Sequence, residues 1–242
     1  MPEGPSIVLA KEQLSVFRGK TLEAMGGYAG IGRKKLVGRK LSALHSWGKQ
    51  LLLQFGDITL RVHFMLFGSY AIDPEGKRRA KMVLNFSSGT IAFYLTSLEL
   101  LEGPLDDHYD WSVDILSTSW NPRAAVKKIR EKKNTLICDC LMDQQIVSGS
   151  GNIIKNEVLF RKKVHPLSHA ADIPVAVIRQ IVAGVRSYAR TFLKQKKAGT
   201  LSRHWQAYEK SECPRCQLPL QKKTLGKSKR RTYFCNNCQI KY

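Results

Sequence analysis

Apolar residues recur with two different periods along the chain, and the period changes near residue 121. Short apolar runs typical of strands lie at residues 51–55, 58–64, 82–86 and 90–95. Gly56-Asp57 separates the first two runs, and residues 87–89 (SSG) separate the last two, which is the pattern of antiparallel hairpins. We therefore expect residues from about 35 to 96 to form an antiparallel sandwich or flattened barrel, with an exposed loop at 73–79.

Helical spacing dominates the rest of the chain. A helix from about Ser6 to Arg18 is predicted to begin directly behind Pro5 and to end before Gly19, the usual asymmetry of these two residue types. Beyond Asn121-Pro122, helices are predicted over residues 122–131, 136–146, 153–160 and 175–194.

These patterns predict a multidomain α+β protein. We expect an N-terminal antiparallel β-sandwich with an N-terminal helix over residues 1–116, and a helical domain over residues 117–205. The short, Cys-bearing and basic remainder, residues 206–242, is expected to form a hairpin of its own.

Composition narrows the class of partner. The 242 residues carry 40 Lys and Arg against 19 Asp and Glu, a formal charge of +21, which favours a polyanion such as DNA, RNA or an anionic membrane surface. The membrane is the weaker choice because no apolar run approaches the roughly 18 residues that a spanning helix needs. Since no signal peptide is visible, we expect a reducing, cytoplasmic compartment, where cysteines are metal ligands or buried thiols and not disulfides.

Four of the six cysteines form two CxxC pairs. The segments CPRC (213–216) and CNNC (235–238) are each able to present two thiolates to one ion. This spacing predicts a tetrahedral zinc site made of Cys213, Cys216, Cys235 and Cys238, a closed and therefore structural site. A redox pair is the alternative. Cys138 and Cys140 do not fit the pattern and are interpreted as buried thiols.

The segment between the two CxxC pairs is strongly basic. It carries Lys222, Lys223, Lys227, Lys229, Arg230 and Arg231. A metal-stapled hairpin with these cations is suited to holding a phosphate backbone, although a merely solvated basic loop has the same composition.

A turn between two helices offers a second anion site. In LMDQQIVSGSGNIIKNEVLF (141–160), the small residues 148–151 interrupt the helical pattern, and Asn152 leads the next helix. The free backbone N–H groups and the positive end of the helix dipole attract a phosphate at such a position. An ordinary corner between two helices with an Asn cap is the alternative.

The first residues, MPEGPSI, allow a chemical role. Removal of Met1 before a small residue would leave Pro2 as a free secondary amine, and an α-amino group has a pKa of roughly 7.7–8.0. Such an amine attacks an aldehyde carbon to form an iminium ion, and Glu3 is placed to transfer protons there. A disordered leader is the alternative.

Taken together, three features resemble the formamidopyrimidine-DNA glycosylase/endonuclease VIII family. They are MPEGP at the start, GNxxxxE in the middle, and a CxxC…CxxC hairpin ending in CQ, in the family's order and nearly end to end. The resemblance implies a bifunctional DNA glycosylase/AP lyase of base excision repair with a helix–two-turn–helix (H2TH) domain, a zinc-finger hairpin and one structural zinc. It implies that Pro2 is the Schiff-base nucleophile, that Glu3 is the acid/base, and that β,δ-elimination cuts the abasic site.

The resemblance also assigns residues that contact DNA. Lys49, in WGKQLLLQF, matches a lysine that binds phosphate near the lesion, although a solvated lysine at a strand end is the alternative. Asn152 matches a phosphate-binding asparagine. Arg230 matches the zinc-finger arginine that holds the phosphate of the flipped nucleotide, with Arg231 as the neighbouring alternative.

Two segments point to the endonuclease VIII-like branch. Residues 98–111 (LELLEGPLDDHYDW) lack the DxRxFG segment that purine-directed members carry. Met65, Leu66 and Phe67 stand where the family places the residues that fill the gap left by a flipped base, and ordinary strand core is their alternative role. We therefore expect oxidised pyrimidines as substrates.

Other functions remain open at this stage. Oxidised or ring-opened purines and crosslinks are alternative substrates, and a non-catalytic relative that binds damaged DNA is an alternative class. Ser6 keeps the last one open, because the family usually has Glu there. The expected partner is double-stranded DNA with a damaged base or abasic site, bound by a monomer in a bacterial nucleoid, with no membrane partner.

Overall fold

The computed structural model describes residues 2–76 and 78–242. The predicted removal of Met1 concerns a residue outside this description, and so does Lys77 of the predicted 73–79 loop. The described chain forms two compact units, residues 1–110 and 111–242. The division into three domains stays a prediction.

The first unit contains one main helix and two four-stranded sheets. Its helices are α1 (Gly4–Leu14), which a short 3-10 turn (Ser15–Phe17) follows, and α2 (Arg33–Leu36). Its strands are β1 (Leu22–Gly26), β2 (Ala43–Trp47), β3 (Gln50–Phe55), β4 (Ile58–His63), β5 (Ser69–Ile72), β6 (Met82–Phe86), β7 (Gly89–Tyr94) and β8 (Ser97–Glu102). All strand pairs are antiparallel, in the orders β1-β6-β7-β5 and β2-β3-β4-β8.

One apolar core joins α1 to both sheets, which confirms the predicted α+β sandwich. Leu14 from the helix, Leu53 from one sheet and Phe93 from the other are completely buried in it. Gly19 adopts a φ of 81°, the left-handed conformation in which a glycine ends a helix. Strands β1 and β8 were not predicted from the sequence, and both lie at the edge of a sheet.

The second unit is helical with a C-terminal hairpin. Its elements are α3 (Pro122–Glu131), α4 (Ile137–Cys140), α5 (Asn152–Arg161), α6 (Val175–Lys197), β9 (Gln221–Leu225) and β10 (Arg230–Phe234). The prediction of a helix over 136–146 was wrong, since α4 has a single turn. Asp143 begins a new turn by accepting a hydrogen bond from the backbone N–H of Gln145 at 2.9 Å.

A second apolar core holds the helices together. Ile129 of α3, Val158 of α5 and Val185 of α6 are buried in it. The hairpin strands pair in register from Arg230 with Leu225 to Phe234 with Gln221. Among the described residues, no helix combines the length and the apolar character required to cross a bilayer.

Candidate functional site

The amino end of α1 brings together Pro2 and Glu3. Glu3 is completely buried, and its backbone carbonyl accepts hydrogen bonds from the N–H groups of Ser6 at 2.7 Å and Ile7 at 3.3 Å, so the helix begins directly behind it. The carboxyl group does not cap this helix. A completely buried carboxyl thus lies directly behind Pro2 and does not serve as the cap of the helix.

Lys49 lies in the tight turn between β2 and β3, the two strands against which α1 packs. The ring Nδ1 of His63 donates a hydrogen bond to the carbonyl oxygen of Lys49 at 3.0 Å. On the other side of the turn, the indole N–H of Trp47 donates to the carbonyl of Asp110 at 2.9 Å. Lys49 is thus half-buried in a fixed turn.

The loop between β4 and β5 projects three large apolar side chains into solvent. Met65 is 54% exposed, Leu66 42% and Phe67 75%. The loop is a tight turn, because the N–H of Gly68 donates to the carbonyl of Phe64 at 2.7 Å, and a Cβ on Gly68 would lie 2.0 Å from that oxygen. The exposure of these side chains excludes the alternative that they form strand core.

In the second unit, Asn152 is the first residue of α5, and only 5% of its surface is exposed. Its side-chain amide donates to the backbone carbonyl of Arg231 at 3.0 Å. The N-cap position belongs to Gly151. Asn152 therefore connects the start of the helix to strand β10 instead of capping its own helix.

Two more residues of α5 continue this contact. The side-chain carbonyl of Asn156 accepts the N–H of Tyr233 at 2.7 Å, and the buried ammonium group of Lys155 donates to the hydroxyl of Thr232 at 2.8 Å. The side chains of Arg230 and Arg231 are exposed on β10. The structure thus brings the predicted phosphate-binding residues of α5 and of the hairpin together.

Glu157 is a residue for which the sequence analysis proposed no role. One carboxylate oxygen accepts the backbone N–H groups of Gln206, Ala207 and Tyr208 at 2.9, 2.9 and 3.0 Å. The other oxygen accepts a hydrogen bond from Arg161 at 3.0 Å. This buried carboxylate anchors the segment that leads to the hairpin. Glu157 is the last residue of the motif GNxxxxE, and this motif was the sequence signal for its role.

The four cysteines of the two CxxC pairs converge on one point. Their sulfurs all lie within 4.8 Å of one another. The N–H of Leu218 lowers the pKa of Cys216 to about 6, and the hydrogen bond with Cys216 raises the pKa of Cys238 to about 12, so the sulfurs lie close enough to share protons. Four converging sulfurs form a candidate metal site.

Cys138 and Cys140 lie outside this cluster. Both are almost completely buried in the helical core, at 2% and 1% exposure. Burial raises the pKa of Cys138 to about 11 and that of Cys140 to about 12. They are buried thiols packed in the core, as the sequence predicted.

Two family models match the chain. One, described as the formamidopyrimidine-DNA glycosylase N-terminal domain, matches residues 1–97. The other, described as the formamidopyrimidine-DNA glycosylase H2TH domain, matches residues 112–203. The two matched domains of one family together account for well over half of the chain.

Individual proteins with names from the same family are also similar to this chain. Endonuclease 8-like 3 from Mus musculus is 31% identical over 207 residues, which cover 82% of this chain and 34% of that protein. The chain thus spans about a third of the length of the endonuclease 8-like 3 proteins it matches. Formamidopyrimidine-DNA glycosylase from Chloroflexus aurantiacus is 24% identical over 239 residues, covering 85% of this chain and 82% of that protein.

A solved structure has the same fold. Lactococcus lactis formamidopyrimidine-DNA glycosylase, non-covalently bound to DNA containing an AP site, superposes with a TM-score of 0.88 at 21% identity. The match covers 99% of this chain and 100% of that one. From the two domain matches and the shared fold it follows that this chain belongs to the formamidopyrimidine-DNA glycosylase/endonuclease VIII family of DNA-repair proteins.

Proposed function

We propose that this chain is a bifunctional DNA glycosylase and AP lyase that removes oxidised pyrimidines. The observation that carries the proposal is the completely buried Glu3 directly behind Pro2 at the start of α1. Membership in a family of DNA glycosylases and the charge of +21 support it. The localisation in the cytoplasm and the monomeric state stay predictions.

The proposed chemistry begins with Pro2 as a free amine after removal of Met1. Its nitrogen attacks C1′ of the damaged nucleotide while the bond from C1′ to the base breaks, and Glu3 transfers a proton as the sugar ring opens. The product is an iminium ion between Pro2 and C1′. Loss of a proton from C2′ then expels the 3′ phosphate, and a second elimination expels the 5′ phosphate.

Lys49 is proposed to bind a phosphate near the lesion. Its backbone is fixed by the hydrogen bond from His63, which immediately precedes the loop carrying Met65, Leu66 and Phe67. A rigid turn removes the backbone part of the entropy cost of ordering this lysine on a phosphate. The exposed apolar side chains of the neighbouring loop would fill the space that the flipped nucleotide leaves.

The second unit is proposed to hold the DNA backbone. The first turn of α5 and strand β10 are joined by the hydrogen bond from Asn152 to the backbone carbonyl of Arg231. We therefore propose that the helix N-terminus and one of the two exposed arginines of β10 bind the DNA backbone together. Backbone contacts of this kind position a duplex without selecting its sequence.

Zinc is the metal that suits the four-cysteine site. Cys213, Cys216, Cys235 and Cys238 would hold one ion in tetrahedral geometry, and zinc bound by four thiolates stabilises a fold without offering a position for water. The ion would hold the two CxxC turns of the hairpin together, and the packing of Phe160 against the same cluster connects the hairpin to the end of α5.

A panel of lesion duplexes tests the proposed function. We expect release of thymine glycol or 5-hydroxycytosine to be faster than release of 8-oxoguanine, since residues 98–111 carry no arginine of the purine-directed kind. Glu3→Gln is expected to lower the single-turnover rate by a factor of about 100 or more, the size of a general acid/base contribution. Faster release of 8-oxoguanine would overturn the pyrimidine preference, and no release of any base would overturn the glycosylase.

A further inference from the structure

The turn of the C-terminal hairpin, residues 226–229, is held by a carboxylate from the helical part of the second unit. One oxygen of Asp139, in α4, accepts the backbone N–H of Lys227 at 3.0 Å, and the other accepts that of Ser228 more weakly at 3.4 Å. Two successive N–H groups that point at one carboxylate form a concave site for an anion, and the charge of the acceptor strengthens both hydrogen bonds. The turn is thereby tied to a residue 88 positions away in the sequence.

Asp139 is itself fixed by its neighbours in the chain. Cys138 and Cys140, on either side of it, are buried in the helical core. At the start of the same helix, the N–H of Ile137 donates to the carbonyl of Ser168 at 2.9 Å. The carboxylate therefore projects from a rigid base, and the turn that it binds is fixed relative to the helices.

The turn that Asp139 holds is exposed and strained. The side chains of Lys227, Ser228 and Lys229 are exposed, and an open cavity of about 260 Å³ lies between the turn and residues such as Thr135 and Met142. Lys229 has a φ of 46°, the left-handed conformation that is unfavourable for a residue with a Cβ. The hydrogen bonds to the carboxylate therefore stabilise a turn that packing supports only in part.

The position of Arg230 depends on this turn, because Arg230 follows it directly and begins β10. On the other side of Arg230, the carbonyl of Arg231 accepts the side-chain amide of Asn152 at 3.0 Å. The backbone of Arg230 thus lies between two contacts with the helices, one made by Asp139 and one made by Asn152.

We propose that Asp139 is a positioning residue for DNA binding, which holds the hairpin turn so that Arg230 is in place before it meets a phosphate. This inference rests on the proposed function and adds a residue that acts through Arg230. A strand that is ordered before binding avoids the entropy cost of being ordered by the DNA. Since a carboxylate near a polyanion ordinarily weakens binding, positioning and plain electrostatics predict opposite effects for the loss of Asp139.

The first test compares Asp139→Asn with Asp172→Asn, which removes the same charge from an exposed position of the same unit. Fluorescence anisotropy measures binding to a duplex with an abasic-site analogue at one fixed salt concentration. We expect Asp172→Asn to bind at least as tightly as the wild type, because the net charge rises by one. Asp139→Asn should bind about fivefold more weakly, because the amide keeps only one acceptor for the two N–H groups. Binding by Asp139→Asn as tight as that by Asp172→Asn would overturn the inference.

A second pair of variants disturbs the contact without changing a charge. A Cβ on Gly226, which has a φ of 72°, would clash with the carboxylate of Asp139. Gly199 has a similar φ of 67°, and beyond its chain neighbours none of the described residues comes within 4 Å of a Cβ placed there. Gly199→Ala therefore introduces the same strain without the clash. We expect only Gly226→Ala to weaken DNA binding, and equal affinities of the two variants would contradict the role of the contact.

A double-mutant cycle separates positioning from a general structural role. In the background of Arg230→Ala, Asp139→Asn should change the affinity by less than about twofold, because the phosphate contact that it positions is already lost. Hydrogen exchange at the amides of Lys227 and Ser228 should be faster in Asp139→Asn than in Asp172→Asn. The full loss of affinity in the Arg230→Ala background, or unchanged exchange at the two amides, would overturn the inference.

The proposed function is checked separately by borohydride trapping of the wild type and Asp172→Asn on an abasic duplex. Both should be trapped, since Asp172 takes no part in the proposed chemistry. If neither is trapped, the lyase proposal fails, and the affinities still decide the role of Asp139. If both are trapped and Asp139→Asn binds DNA as Asp172→Asn does, only the inference about Asp139 fails.

Discussion

The side-chain amide of Asn152 donates a hydrogen bond to the backbone carbonyl of Arg231 at 3.0 Å, across 79 positions of sequence. The first turn of a helix and a strand of the C-terminal hairpin are thereby joined at the point where both are expected to meet a phosphate. The amide of Asn156 lies 3.4 Å from the same carbonyl, a distance at which a hydrogen bond is weak. Asn152 is thus the main partner of this carbonyl.

We predict that Asn152→Ala weakens binding to a duplex with an abasic-site analogue by about tenfold. The substitution removes an amide from the helix N-terminus and the hydrogen bond that holds β10 beside it, and a tenfold loss matches the roughly 1–2 kcal/mol of one hydrogen bond to an anion. Fluorescence anisotropy measures the affinity, with Asn134→Ala as the control because Asn134 is exposed in a turn. Equal affinities of the two variants would contradict the role of Asn152.

Arg230 and Arg231 are distinguished by the salt dependence of binding. Adjacent residues of a strand point to opposite faces, so only one of the two is expected to reach a given phosphate. We predict that Arg230→Ala lowers the slope of log K against log salt by about 1, the effect of losing one phosphate contact. Arg231→Ala is the matched control, and a larger change in that variant would reassign the contact to Arg231.

Glu157→Gln is predicted to destabilise the second unit. Gln at this position loses the negative charge that accepts three backbone N–H groups and pairs with Arg161, at a cost of roughly 2–3 kcal/mol. Urea unfolding measures the loss, and hydrogen exchange should become faster at Gln206, Ala207 and Tyr208. Glu131→Gln is the control, since its exposed contact with Lys127 is worth less than about 1 kcal/mol. An unchanged exchange rate at these three amides would refute the anchoring role.

Much of the fold is encoded locally and could be predicted from the sequence. Helix α6 shows a regular apolar period from Val175 to Leu193, and clear turn residues separate β3 from β4 and β6 from β7. Strand β8 was missed because the run LELLE carries a helix-like pattern, and its strand conformation comes from pairing with β4. Helix α4 was overextended because apolar spacing continued past its end into a turn formed by Asp143.

The candidate site, like the fold, could be predicted from the sequence only in part. The convergence of the four cysteines could be predicted, because two CxxC turns at a workable separation define a metal site locally. The roles of Lys155 and Glu157 could not, since their partners Thr232 and Gln206 are 77 and 49 positions away.

Metal removal and thiol alkylation should divide the six cysteines into two groups. At pH 8 we expect iodoacetamide to modify Cys213, Cys216, Cys235 and Cys238 only after a chelator is added. Cys138 and Cys140 should react only in denaturant, because their raised pKa values leave less than about one thiolate in a thousand at this pH. Peptide mass spectrometry counts the labels. Labelling of Cys138 or Cys140 before the other four would contradict their burial.

The central claim is that the amine of Pro2 forms the covalent bond to DNA. The most direct measurement is borohydride trapping of the untagged protein on an abasic duplex, followed by mass spectrometry of the crosslinked peptide. We predict removal of Met1, an adduct on Pro2, and weak or no trapping by Pro2→Gly. An adduct on a lysine such as Lys49, a retained Met1, or no adduct with the pure wild-type protein would contradict the claim.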